Sequence, residues 1–284
     1  MAELTAIILP GMFVFLLLAE QAIPLRQRTN RLLPRLLKNL ILTATVFLVG
    51  TLVVRNAGIG ASSWTTERGI GVVFLVPLPG WGRMAMGILL MDLTFYYWHR
   101  ANHRIRLLWR LHNVHHIDPD LDVSTSYRFH FGEIAYSSAF RVAQMLVVGA
   151  NPLTYTIYET IFSAETMFHH SNIRLPIGLE RLLNKIIVTP RMHGVHHSAV
   201  GSETNSNYGV IFPWWDRLHR TLLLNVPQSS ISIGVPGYCE SHDNRFWNLV
   251  KMPFIRQKRY WCYADGLAPK SNRDNTTKST KMSP

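Results

Sequence analysis

Charge is scarce in this 284-residue chain. Asp, Glu, Lys and Arg make up 16% of it, against about a quarter of an ordinary soluble domain, while apolar residues make up 48%. Acids are the scarcest: 17 of them face 29 Lys and Arg, for a formal net charge of +12. Cysteine is almost missing, since Cys239 and Cys262 are the only two. That excludes a disulfide framework and a cysteine-rich zinc module. The apolar content excludes a disordered chain, and the low charge argues against an ordinary cytosolic enzyme. A positive excess suits either nucleic acid or the anionic face of a bilayer. The basic residues form no DNA- or RNA-binding signature; they flank apolar runs, so the expected partner is a membrane and not a nucleic acid. Against these shortages stand 13 histidines, and they cluster.

Four apolar runs organise the chain. The first, 4–24, carries no charge except Glu20 and approaches the roughly 20 residues of a spanning helix. It lacks the basic start and small-residue cleavage site of a signal peptide, so it reads as a retained anchor. The second, 39–54, has Lys38 and Arg55 at its ends, placed to snorkel outward, and is followed by a loop with Arg55, Glu67 and Arg68. Between the two runs lie Arg26, Arg28, Arg31, Arg35 and Lys38 without an acid, which by positive-inside bias puts 26–38 in the cytosol. The third run, 69–98, is broken by Pro77, Pro79, Gly80 and Gly82. It predicts an interfacial piece over 70–79, then a helix from about Met84 that returns to the cytosol near His99. The fourth, 134–168, holds Gly149-Ala-Asn-Pro at its middle, a turn signal that predicts a re-entrant hairpin of two antiparallel helices.

The expected fold is therefore all-α. It is an integral membrane helical bundle of three to four apolar helices plus the re-entrant hairpin, capped by a histidine-rich helical layer on the cytosolic side of a bacterial inner membrane or the endoplasmic reticulum. Three parts are expected: an anchor with its basic loop (1–82), a histidine-rich centre (83–225) and a cytosolic extension (226–284) whose residues beyond Leu267 form a disordered basic tail. The alternative places the four runs in the core of a soluble helical protein.

The histidine spacing repeats. His99 and His103 form H-x-x-x-H; His112, His115 and His116 form H-x-x-H-H; His193, His196 and His197 form it again. On a helix, residues three and four apart share a face, so each group aims several imidazoles at one place. Eight exceed the four ligands of a zinc site and suit two metal ions, with His130 and His170 completing a set of ten. His169 points about 100° away from His170 on a helix, and His219 and His242 stand alone. A metal also solves an electrostatic problem: protonated imidazoles this close would repel one another, and a metal demands the neutral form. Imidazole itself does not choose among zinc, copper, iron and nickel.

Longer motifs surround these histidines. They are Asp92-Leu-Thr-Phe-Tyr-Tyr-Trp-His-Arg, Leu108-Trp-Arg-Leu-His-Asn-Val-His-His, Phe168-His-His-Ser-Asn-Ile and Thr189-Pro-Arg-Met-His-Gly-Val-His-His-Ser, then Ser206-Asn-Tyr-Gly and Trp215-Asp-Arg-Leu-His-Arg-Thr. Together, over 92–221, they resemble the fatty acid hydroxylase/sterol desaturase superfamily of membrane di-iron oxygenases. Three features depart from its common pattern: His130-Phe-Gly-Glu in place of His-Pro-x-Glu, the doubled His169-His170, and His219-Arg220 in place of Phe-Gly.

The resemblance implies two iron ions, with zinc as a substitute in a purified form, held by His99, His103, His112, His115, His116, His130, His170, His193, His196 and His197. It further implies an enzyme that uses O2 and two electrons to hydroxylate or desaturate a C–H bond of a sterol-like or fatty acyl lipid. The electrons would come from an external ferredoxin- or cytochrome b5-like donor, since no such segment is fused here. Metal-bound imidazole usually donates its other N–H to an acceptor. Asp92, two helical turns before His99, leads the acceptors Glu133, Glu159, Glu165 and Asp216, and Asn207 joins them. Phe95, Tyr96, Tyr97, Trp98 and Trp109 are candidate pocket walls. The competing reading is a histidine-rich metal-binding or transport protein without oxygenase activity. Transport paths set their ligands within spanning segments, whereas these motifs fall at helix ends.

Overall fold

The computed structural model describes residues 2–272, with side chains from residue 5 onward. Among these residues all regular structure is helical, and the only β pairings are the isolated bridges Pro24–Ile173 and Ser198–Ile233. The first apolar run forms α1, Ala2–Ala22, about 31 Å long at the rise of an α-helix, which matches a bilayer's hydrocarbon core. It is not a core helix: Ile7, Phe15 and Leu18 are 72%, 67% and 65% exposed. Glu20, the charge that interrupts the run, is buried and accepts the backbone N–H groups of Val123 at 3.1 Å and Asn172 at 3.0 Å. The acid thus fastens the anchor to two histidine-bearing segments.

The second run departs from expectation. α2, Leu32–Val49, passes through one wide π turn, Gly50–Arg55, directly into α3, Asn56–Arg68, where the sequence suggested a loop. The small residues explain it. Gly58 lies so close to Tyr155 that a Cβ there would meet the phenol, and the Ser62 hydroxyl donates to the Ala150 carbonyl. A segment poor in apolar residues therefore stays helical by packing tightly on its neighbours. Thr5–Ala22 and Leu32–Phe74 are long and apolar enough to cross a membrane, and their large side chains point mostly outward. That pattern indicates membrane association and counts against the soluble-core alternative.

A 3₁₀ turn at Val72–Phe74 precedes α4, Gly80–Arg104, which is followed by α5, Arg106–His116. α6, Phe131–Val148, and α7, Pro152–His170, join at the expected turn, with Asn151 capping α7 through Thr154 N–H at 2.8 Å. The two arms pack on α3 and α4 rather than closing on each other. Gly149 ends α6 at φ +77°, and a Cβ there would sit 2.4 Å from the Ile70 carbonyl oxygen. Gly149→Ala is expected to lower stability by about 1–3 kcal/mol, read as a fall in the unfolding midpoint in detergent; an unchanged midpoint would show that this turn tolerates a side chain.

Short helices complete the chain: α8 Ile177–Leu183, α9 Pro190–His196, α10 Gly201–Thr204, α11 Trp214–Leu218 and α12 Phe246–Lys251. The extension after 225 packs back on α5 in a core that joins Val114 and Ile117 to Leu249 and Met252. The expected disordered tail needs correction at its start. Asn272 is buried, with its backbone N–H and side-chain amide on Glu203 at 3.0 and 2.8 Å, because a buried carboxylate requires donors. Residues 273–284 lie outside the described residues.

The basic loop also proves structural. Arg35 is buried, its guanidinium on Asp118 at 2.7 and 2.8 Å and on Asp122. Asn39 donates to Asp118 at 3.1 Å and accepts from Arg128 at 2.9 Å. Asp120 receives the backbone N–H groups of Thr29 and Asn30 at 2.7 and 2.9 Å. The Asp118-Pro-Asp-Leu-Asp stretch that follows His116 is thus clamped by the link between α1 and α2 and by the first two turns of α2.

Candidate metal centre

Four helices end at one place. His99 and His103 lie at the C-terminal end of α4; His115 and His116 close α5, with His112 one turn before; His170 is the last residue of α7; His193 and His196 lie in α9, with His197 as its C-cap. The i, i+3, i+4 spacing brings each set to one face, and helix C-termini carry partial negative charge that favours a cation.

The nine rings form two groups. One joins His99, His103, His112, His116 and His196; the other joins His115, His170, His193 and His197. Within each group the nitrogens lie within 4.8 Å of one another. The groups touch where the rings of His116 and His197 stack at 4.3 Å.

Hydrogen bonds fix which nitrogen faces inward. The Nδ1 atoms of His99, His115, His170 and His196 meet the carbonyl oxygens of Tyr208 at 2.8 Å, Arg128 at 3.3 Å, Thr166 at 2.7 Å and Ser206 at 2.7 Å. His112 Nδ1 meets Glu133 Oε1 at 2.8 Å. A carbonyl or carboxylate only accepts, so each Nδ1 donates, and in a neutral ring Nε2 is left with a bare lone pair. Yet the Nε2 atoms of His115 and His170 stand 3.0 Å apart, both turned to the centre. His193 Nε2 is 3.0 Å from His170 Nε2 and 3.1 Å from His197 Nε2. Two lone pairs at that distance repel unless a cation lies between them. Further buried nitrogens have no hydrogen-bond partner, among them both of His103 and Nε2 of His196. The donor set fits bound metal.

Protonation fits as well. Burial, then neighbouring imidazoles, push His115, His116, His193 and His197 well below the ordinary histidine range. Burial holds His196 at about 3, against the hydrogen bond to the Ser206 carbonyl, which raises it. These rings are neutral at physiological pH, the form that ligates.

One sequence-predicted ligand lies elsewhere. His130 stands outside both groups and caps α6: its Nδ1 accepts the Gly132 N–H at 2.9 Å, and its Nε2 faces the Val250 carbonyl at 3.1 Å. Lacking the proline of the common pattern, this turn is held by the histidine itself. His169 is also outside the groups, although its ring packs 4.1 Å from that of His193.

Asp92 touches no histidine. It accepts the N–H groups of Ile211 at 3.3 Å, Phe212 at 3.1 Å and the Trp215 indole at 2.8 Å, because the His99 ring turns its Nδ1 to Tyr208 and not back along α4. Asn207, at φ +53°, ties the Met192 and Leu223 carbonyls, each at 2.8 Å, and hydrogen-bonds no histidine. Asp216 holds the Tyr208 and Gly209 N–H groups at 2.9 and 2.7 Å, and Glu159 pairs with Arg141 at 2.9 Å. Of the five carboxylates, Glu133 alone is bonded to a histidine of the groups. Of the aromatic candidates, Trp109 packs 4.9 Å from His103, whereas Phe95 and Trp98 face Phe140 on α6. Sequence reasoning missed the carbonyls that orient the rings, for which no side-chain signal exists. It also missed the Asp118–Asp122 clamp, which three acids in five residues beside an acid-free basic loop could have suggested.

Glu133→Gln keeps the shape but loses the charge on His112. Metal affinity is expected to fall 10- to 100-fold, read by competition with a chromophoric chelator; unchanged affinity would show that the carboxylate has no part in holding the ring.

Comparison with known proteins agrees with this geometry. The fatty acid hydroxylase family matches residues 84–221, the stretch that carries every ring of the two groups. Over that stretch the chain is similar to the fatty acid hydroxylase family. It is 30% identical over 177 residues to an ornithine lipid hydroxylase of Rhizobium tropici, covering 62% of this chain and 52% of that protein. It is 26% identical over 168 residues to an alkylglycerol monooxygenase of Xenopus tropicalis (56% and 34%). A human cholesterol 25-hydroxylase is 27% identical over 138 residues (48% and 49%). The chain thus spans about a third to a half of these relatives. No solved structure gives a significant match.

Proposed function

We propose that this chain is an O2-dependent lipid hydroxylase whose two histidine groups hold a pair of iron ions. The reading rests on one observation: Nε2 lone pairs of His115 and His170, with their Nδ1 atoms committed to carbonyls, face each other at 3.0 Å. Related proteins named as lipid hydroxylases and monooxygenases support the reaction class. When bound, the metal pair supplies O2 activation with two electrons from an external ferredoxin- or cytochrome b5-like donor.

The chain's own residues do the positioning. Tyr208, Arg128, Thr166 and Ser206 hold four rings by their carbonyls, and Glu133 holds a fifth. Burial keeps water out; His196 and His197 are fully buried. We read α1 and α2 as anchors and α6–α7 as a re-entrant hairpin, with the histidine layer at the cytosolic face and the three-part division at 82 and 225. Hydroxylation is favoured over desaturation because hydroxylases and a monooxygenase are the relatives named. Ligands at helix ends rather than midway along apolar runs speak against a transport path.

Anaerobic removal of metal by a chelator is expected to abolish O2 uptake and to lower the unfolding midpoint, since a ligand bound only by the folded state stabilises it. Ferrous iron should restore both, and zinc the midpoint alone. A midpoint indifferent to metal would refute the site.

A further inference from the structure

A cavity of about 370 Å³ opens beside His103, and it is cationic. Arg104, Arg106 and Arg110 line it from α4 and α5, and Lys258 faces them from the C-terminal extension; no acid lines it. Among the described residues none of the three arginines pairs with a carboxylate, while Lys258 shares its charge with Asp243 at 2.6 Å. His103, with both ring nitrogens buried and without a hydrogen-bond partner, lines the same cavity, so the opening leads to the first histidine group. Trp109 and Trp261, their rings 5.8 Å apart, wall it. Along the chain charge alternates with exposed hydrocarbon here: Ile105 and Leu107, 51% and 68% exposed, sit between and beside Arg104 and Arg106. Such a stretch suits the boundary between acyl chains and headgroups, where arginine keeps its stem in hydrocarbon and its guanidinium in the polar layer.

We propose that this cavity binds the anionic headgroup of the lipid substrate, a phosphate or a carboxylate, through Arg106, Arg110 and Lys258, and so presents the adjoining carbons to the metal pair beside His103. Guanidinium matches both oxyanions bidentately. Gln257, Lys258, Tyr260 and Trp261 lie beyond the matched family region, residues 84–221, so the extension supplies one wall and with it part of the selectivity. The proposal rests on the reading of the chain as a lipid hydroxylase.

Calorimetric titration of the metal-loaded protein in neutral detergent tests it. The probes are dihexanoyl phosphatidate, decanoate, dihexanoyl phosphatidylcholine and inorganic phosphate. At least one anionic lipid is expected to bind ten or more times tighter than both the zwitterionic lipid and inorganic phosphate. Arg106→Gln and Arg110→Gln should each weaken it severalfold, and together about tenfold, with metal content and helical spectrum unchanged. Lys251→Gln and Arg256→Gln, both exposed and neither lining the cavity, should leave it as in the parent. Equal binding of the zwitterionic lipid, or loss shared equally by the two control variants, overturns the headgroup assignment. Equal binding of inorganic phosphate makes this a free-anion site and overturns it too. Because the titration is read at full metal loading, failure here is distinct from failure of the metal centre, which would appear as missing iron.

Discussion

His196→Ala is expected to empty the first metal position and to abolish turnover, while His130→Ala keeps both. The contrast is large because the two residues do different work. His196 is fully buried, fixed through Nδ1 on the Ser206 carbonyl, and leaves Nε2 without any partner except a metal. Removing a ligand should cost more than the 10- to 100-fold typical of losing a group that only supports one. His130 caps a helix, and caps contribute about 1 kcal/mol, so its variant should show a slightly lower midpoint and the parent's metal content. Elemental analysis with O2 uptake on the two purified variants reads the difference. Iron retained in His196→Ala, or lost in His130→Ala, would reverse the assignment.

Arg35→Ala is expected to destabilise the chain by about 3–5 kcal/mol, the scale for leaving buried charge without its partner. The side chain serves both Asp118 and Asp122 and reaches the Asp120 carbonyl at 2.9 Å, so its loss strands two acids in the loop that follows His116. The effect should extend to the metal centre, since Arg128, in the same network, offers the carbonyl that orients His115. Acid should act in the same direction. Burial raises the Asp118 carboxyl, but Arg35 and Arg128, with hydrogen bonds from Arg35 and Asn39, hold it at about 2. The unfolded value is near 3.9; this contribution to stability is therefore complete above about pH 4 and is lost as pH falls toward 2. Unfolding midpoints of parent and variant, measured between pH 7 and pH 3, would show the variant's deficit shrinking as the acids protonate. A midpoint within 1 °C of the parent at pH 7 would mean that the clamp is incidental.

Local chemistry carried much of this into the sequence. The histidine spacing named eight of the nine rings that converge, all but His170, because helical periodicity alone sets which residues share a face. Asn151-Pro152 marked the turn between α6 and α7, whereas Gly80 and Gly82, read as breaks before a helix from about Met84, lie in the first turn of α4 behind Pro79. Where tertiary contact decides, local pattern misleads. Asp92 faces the right way along α4, yet the ring two turns on is claimed by a carbonyl more than a hundred residues away. Residues 55–68 look like a loop until Tyr155 and Ala150 are present for Gly58 and Ser62 to pack on. The five basic residues between the first two apolar runs looked like a topology signal, but Arg26 and Arg35 are buried, with Arg35 neutralising acids more than eighty positions on.

The central claim is a two-metal site built from nine imidazoles. Its most direct measurement is the metal content of the parent protein purified without oxygen in the presence of ferrous iron. Two iron ions per chain, both lost when His170 and His196 are replaced together, are the expected result. A single ion per chain, or two that survive the double replacement, would contradict it.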